Sequence, residues 1–129
     1  TIRIDGLSTF LDGLLPRLLS PAAPAEVWER VHAIAARQDP DAVCAALEAL
    51  RDRPDRRDEV SAIAVPTIVV VGRDDAITPR EASDALTAAI AGSTQRVLDT
   101  GHLSAIEAPA PFAAVIRDAL TATAPGRPE

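Results

Sequence analysis

The chain of 129 residues carries 13 basic and 19 acidic side chains, a net charge of −6, so it has no basic footprint for nucleic acid and no attraction to anionic lipid. Hydrophobic residues make up 47% of it, too many for a solvating tail, and aromatics only 2%, so Ala, Leu, Val and Ile must do most of the packing. One cysteine excludes an internal disulfide, and no apolar run reaches membrane-spanning length. One domain or part of one, in a reduced, cytoplasmic setting, is the expectation. The chain does not begin with Met, which leaves an upstream export signal open.

Residues 6–19 read as a helix, because Leu7, Phe10, Leu11, Leu14 and Leu15 recur at helical spacing. Pro16 is expected to kink or interrupt it, and residues 20–24 form a break. A second helix over 24–37 carries Val27, Trp28, Val31, Ile34 and Ala35 on one side. Asp39 suits the N-cap of a third helix and Pro40 its first position, where a missing N–H costs nothing. That helix runs to about Arg51 and is expected to bury Val43, Ala46, Leu47 and Leu50. Cys44, inside the same apolar run, reads as a small buried residue with no activating base nearby. Arg51, Arg53, Arg56 and Arg57 alternate with Asp52, Asp55, Asp58 and Glu59, the pattern of a solvated helix end.

The character changes after Pro54. A short helical piece near 56–62 leads to Thr67-Ile68-Val69-Val70-Val71, a β-branched run suited to a parallel strand covered on both faces, and Gly72 ends it. Residues 80–91 form an amphipathic helix on Ala82, Ala85, Leu86, Ala89 and Ile90, stopped by Gly92. Residues 95–99 are a second strand. Residues 109–122 are a last helix with Phe112, Val115, Ile116 and Ala119 as its buried stripe, and the tail over 124–129 reads as frayed. Residues 1–54 are thus all-helical and residues 55–124 form a βαβα unit, an α/β class of fold. Two strands do not make a stable sheet alone, so the pattern implies neighbours that this sequence does not contain.

Two side chains carry candidate chemistry. Asp75 follows the first strand by a few residues, in the zone beyond strand carboxyl ends where open α/β sheets bind ligands. It reads either as a turn-capping carboxylate or as one that orients a histidine. Its neighbour Asp74 reads as a cap or a solvated side chain. His102, 27 residues after Asp75, follows the second strand, and Gly101 before it would allow a sharp turn. Histidine titrates near neutrality and can accept and return a proton. A right-handed crossover puts both residues on one edge of the sheet. His32 lies mid-helix and reads as a packing or surface residue, and Ser104 as structural.

The strings Arg53-Pro-Asp55, Ile63-Ala-Val-Pro66-Thr, Gly72-Arg-Asp-Asp75-Ala-Ile-Thr-Pro79 and Gly101-His102-Leu-Ser-Ala-Ile-Glu107-Ala-Pro109 resemble the C-terminal half of the α/β-hydrolase fold superfamily. The resemblance covers nearly the whole chain. It implies a helical cap (lid) over residues 1–54 and the C-terminal part of the hydrolase core over 55–129. The segment Leu14–Pro21 is similar to the cap of enol-lactonase-like members. Carried over residue by residue, Asp75 is the acid and His102 the base of a catalytic triad, while Glu107 and Pro109 shape the start of the last helix. The family's nucleophile sits in a Gly-x-Ser-x-Gly elbow, and no such string occurs here; Gly6-Leu7-Ser8-Thr9-Phe10 lacks the second glycine and a preceding strand.

The resemblance implies a serine-type hydrolase of a carboxylic ester, lactone or similar small substrate, with no metal or organic cofactor. Cap helices, Trp28 among the candidate contributors, would select the substrate. This chain would supply the acid and histidine and be inactive alone. An aspartate nucleophile elsewhere would make the intact protein a haloalkane dehalogenase or epoxide hydrolase instead. The rival expectation is a non-catalytic binding or assembly module derived from a hydrolase half. In either case an open sheet edge is expected to recruit a missing N-terminal half or a second copy.

Overall fold

The computed structural model describes residues 2–123, so the expectation of a frayed tail over 124–129 lies outside the described residues. The helices are α1 (Ile2–Leu18), α2 (Ala25–Ala35), α3 (Pro40–Arg51), α4 (Arg80–Ala89), α5 (Ser104–Glu107) and α6 (Pro109–Thr123). A 3-10 helix spans Arg57–Ala62, and the strands are β1 (Ile68–Gly72) and β2 (Thr94–Leu98). The strands pair in parallel, with Ile68 opposite Thr94 and Gly72 opposite Leu98, and α4 makes the crossover between them. No helix among the described residues is long and apolar enough to cross a membrane.

The helical half agrees with its periodicity, with one change of cause. Pro16 does not interrupt α1, since Leu19 N–H still donates to Leu15 O at 3.1 Å. The helix ends two residues after the proline, so little ladder remains for it to disrupt. The break comes instead at Gly6, whose φ of 85° only glycine adopts readily. Leu11, Leu15, Leu19 and Val31 form the buried cluster between α1 and α2. Trp28 packs against that cluster, half-buried, as do Leu103 and Ile106 from the segment after β2. The helical segment is therefore joined to the strand unit through shared apolar contacts.

Helix α3 begins as expected, with Asp39 Oδ1 accepting from the N–H groups of Asp41 at 2.8 Å and Ala42 at 3.1 Å. Its expected buried stripe is not buried. No residue of α3 reaches the interior, Leu50 is 61% exposed, and Cys44 is only half-buried. The helix packs on α1, and no described element covers its Leu47–Leu50 face. The arginine run after it does behave as a solvated end: Arg51 pairs with Asp52, Arg57 with Asp55 and Arg56 with Glu59, all exposed.

Helix α4 is rotated relative to expectation. Ser83 is its buried position and Thr87 is half-buried, while Ala82, Ala85, Leu86 and Ala89 are exposed; Ile90, just after the helix, is buried as expected. The inward hydroxyls are satisfied locally, Thr87 Oγ1 donating to Ser83 O at 2.8 Å and Ser93 Oγ to Thr87 O at 2.9 Å. Small polar residues can therefore face the strands without leaving an unmade hydrogen bond. On α6 Val115 is buried and Phe112 half-buried, but Ile116 is 49% exposed, so the stripe is narrower than expected. In β1, Val71 and Gly72 are buried whereas Ile68–Val70 are half-buried; cover is complete only at the carboxyl end.

At that end the chain is layered backbone on backbone. A Cβ at Gly72 would stand 2.1 Å from Gly101 O and 2.5 Å from Thr100 O. Replacing Gly72 by Ala should therefore lower unfolding stability by about 1–3 kcal/mol, since neither obstacle is a flexible side chain. Gly13, mid-α1 with open space around it, is the control. Gly13→Ala should be neutral or stabilising by up to ~1 kcal/mol. Urea midpoints for the two variants check both.

Candidate active site

The loops after β1 and β2 are zipped together before any side chain is considered. Arg73 N–H donates to Leu98 O at 2.8 Å and Asp74 N–H to Thr100 O at 3.0 Å. Asp75 then sits in a tight turn. Its Oδ1 accepts from the N–H groups of Ile77 and Thr78, both at 2.9 Å, an Asx-type turn in which the side chain replaces a backbone carbonyl. Its Oδ2 accepts from Thr78 Oγ1 at 2.7 Å and meets His102 Nδ1 at 2.9 Å. The two readings of this residue, turn cap and partner of a histidine, are both realised, one by each oxygen.

The side chain of Asp75 is 6% exposed and that of His102 33% exposed. Burial pushes the Asp75 carboxyl upward. The Thr78 N–H, the Thr78 hydroxyl, His102 and the Ile77 N–H together outweigh it and hold the group below the usual carboxylate range. An ionised Asp75 requires His102 to present Nδ1–H, because the carboxylate has no proton to give. The Thr78 hydroxyl, 3.3 Å from Nδ1, is itself committed to Asp75 Oδ2. The imidazole is thereby set in one tautomer, with Nε2 as the basic nitrogen. Nothing among the described residues is found hydrogen-bonded to Nε2.

The histidine loop is held from behind. Gly101 has no positive φ, so the turn expected there does not use the left-handed region that favours glycine. Its role is close approach: a Cβ would lie 2.6 Å from Ser20 N and 2.7 Å from Leu19 C. His102 and Leu103 N–H both donate to Leu18 O, at 2.9 and 3.2 Å, using a carbonyl at the end of α1. Ser104 is structural as expected: its hydroxyl is 2.7 Å from Thr100 Oγ1 and donates to Gly101 O at 3.2 Å. Glu107 also serves structure, but across a longer span than the start of α6, accepting from Gly101 N–H at 2.9 Å and Ser20 N–H at 3.1 Å. Asp74 neither caps nor merely faces water: its Oδ2 accepts from Ser20 Oγ at 2.7 Å. His32 is exposed on α2.

His102 lines an open cavity of about 320 Å³ with Val70, Leu103, Ser104, Ala105, Ile106 and Phe112. The larger groove, about 780 Å³, lies between the end of α3, the 3-10 helix and Leu86, and contains neither Asp75 nor His102. Two of its arginines, Arg56 and Arg57, are paired with its carboxylates Glu59 and Asp55, so size does not make it the site of chemistry. Among the described residues no group of three or more His, Cys, Asp or Glu side chains converges as a metal site.

No family model and no curated protein matches the chain. Solved structures do. A thermophilic esterase from Thermogutta terrifontis is 32% identical with a TM-score of 0.86, over 94% of this chain and 46% of its own. The enol-lactonase from Burkholderia xenovorans LB400 is 30% identical with a TM-score of 0.75, over 92% of this chain and 46% of its own. A hydrolase from Pseudomonas aeruginosa PA01 is 27% identical with a TM-score of 0.80, over 92% and 46%. The chain has the α/β-hydrolase fold, in its C-terminal part. It spans less than half the length of these α/β-hydrolases.

Thr78 is the member of this hydrogen-bonded group that no motif in the sequence singles out. Its signal was present, a hydroxyl residue three positions after a loop aspartate, the spacing at which an Asx turn brings the two together. Thr78→Val should raise the Asp75 pKa toward its ordinary value, and Thr78→Ser should restore the depression; carboxyl carbon shifts over a pH titration measure both. Because the folded Asp75 value is depressed, its stabilising contribution is complete above the unfolded value of about 3.9 and is lost as pH falls through the folded value. The stability gap between wild type and Asp75→Asn should accordingly close as pH falls through the acid range.

Proposed function

We propose that the intact protein carrying this chain is a serine-type hydrolase of carboxylic esters or lactones, in which Asp75 and His102 are the triad acid and base. The observation that carries this reading is the Asp75–His102 hydrogen bond at the carboxyl edge of two parallel strands, with Nε2 open. The esterase and lactonase identity of the structural neighbours supports an acyl substrate over a halide or epoxide. The nucleophile would come from outside these 129 residues, in a strand–turn–helix elbow placed beside His102.

The chemistry follows from the tautomer. Nε2 takes the proton of the attacking serine hydroxyl as the oxygen adds to the carbonyl, and Nδ1–H shares the resulting positive charge with Asp75. The proton then passes to the leaving alcohol, or to the alkoxide end of an opened lactone. In the second half, Nε2 deprotonates the water that releases the acyl group. Thr78 keeps Asp75 ionised through the cycle. The oxyanion donors would lie with the nucleophile elbow and an earlier loop. The helices α1–α3 would form the lid over this pocket.

The test is complementation. The chain alone should hydrolyse a short-chain nitrophenyl ester no faster than buffer. Co-expressed with an N-terminal half of the fold carrying Gly-x-Ser-x-Gly, it should show saturable turnover. Asp75→Asn in that complex should cost about 10⁴-fold in kcat, as the wrong tautomer does in serine triads, with His102→Ala at least as severe. Turnover by the complex that is indifferent to both substitutions would refute the assignment.

A further inference from the structure

Ser20, in the turn between α1 and α2, is 2% exposed and bonds in two directions. Its Oγ donates to Asp74 Oδ2 at 2.7 Å and accepts from Ala22 N–H at 3.2 Å, so its one proton is committed to Asp74. Its N–H donates to Glu107 Oε2 at 3.1 Å, and the other oxygen of that carboxylate accepts from Gly101 N–H at 2.9 Å. One arm thus ends on Asp74, one residue before Asp75. The other ends, through Glu107, on Gly101, one residue before His102. The acid loop and the histidine loop are tied to the same residue of the helical segment.

We propose that Ser20 is a positioning residue that holds the Asp75 and His102 loops in register, so that the end of α1 sets the geometry of the acid–histidine pair. This rests on the hydrolase reading for its importance, but its geometry does not need turnover. Backbone placement explains why the tie matters. His102 and Leu103 already hang from Leu18 O, and Gly101 lies against Ser20 N, so a shift of residues 18–20 carries the histidine with it. The Ser20–Asp74 bond makes the acid loop follow the same shift. Without it, the α1 end and the histidine loop could move together away from Asp75, lengthening the 2.9 Å bond on which the tautomer depends.

The experiment reads the tautomer directly, by ¹⁵N shifts of the two histidines in the 129-residue chain, with exposed His32 as internal reference. In wild type, His102 should be mostly Nδ1–H, against the Nε2–H preference of a free imidazole. Ser20→Ala and Asp74→Ala should each lower the Nδ1–H to Nε2–H ratio about five-fold, the size of one ordinary hydrogen bond, and the double variant should go no further. Asp74→Asn, which keeps an acceptor for the Ser20 hydroxyl, should retain the wild-type ratio. Should Ser20→Ala not fold, Asp74→Ala removes the same bond from an exposed position and decides alone. An unchanged ratio in a folded Asp74→Ala chain, or additive losses in the double variant, would overturn the proposal. Failed complementation with a wild-type tautomer pattern would instead count against the hydrolase reading.

Discussion

Three backbone segments meet where side chains are absent. The end of β1 at Gly72 lies against the carbonyls of Thr100 and Gly101, and Gly101 lies against the Leu18–Ser20 backbone at the end of α1. Contacts of this kind leave no flexible atoms to adjust, and interiors packed this tightly transmit strain rather than absorb it. Both loops that carry Asp75 and His102 leave from this stack. Backbone contact thus brings the two loops together, hydrogen bonds from Arg73, Asp74, His102 and Leu103 hold them there, and the Ser20–Asp74 bond ties the acid loop to the end of α1.

On this base the site is a chain of assigned protons. The Thr78 hydroxyl donates a hydrogen bond to Asp75, the carboxylate stays ionised against its own burial, and His102 must then present Nδ1–H. Each step leaves one choice for the next, and the last leaves Nε2 basic. The carboxylates around the pair divide the labour. Asp75 meets the imidazole, whereas Asp74 and Glu107 accept from groups of the α1–α2 turn and the histidine loop. Three acidic residues within reach of one histidine loop would repel one another if each were not matched to N–H or O–H donors.

Away from this end the molecule is less finished. Leu47, Leu50, Val65, Leu86, Ile116 and Leu120 are exposed, and β1 is well covered only at its last two residues. The apolar spacing on α3 and α4 is that of helices, but spacing says only that a face is apolar, not that a neighbour lies over it. The chain covers less than half of the hydrolases it resembles in structure.

By itself the sequence determined the order and type of the main elements, since periodicity, a capping aspartate at Asp39 and a β-branched run are local signals. It also placed Asp75 and His102 at the ends of two parallel strands, because a βαβ crossover has one hand. Only the tertiary structure decided that these two side chains touch, that Thr78 joins them, and that Ser20, in what reads as a mere break, binds Asp74 and Glu107. It also decided that α4 turns Ser83 inward and that Pro16 is harmless near a helix end. For the Asp75–His102 and Ser20 contacts the physical reason is separation along the chain, whereas Pro16 is spared by the nearby helix end. Contacts across 54 or 87 residues of chain leave no trace in local spacing, and they arise only when two glycines let distant backbones approach.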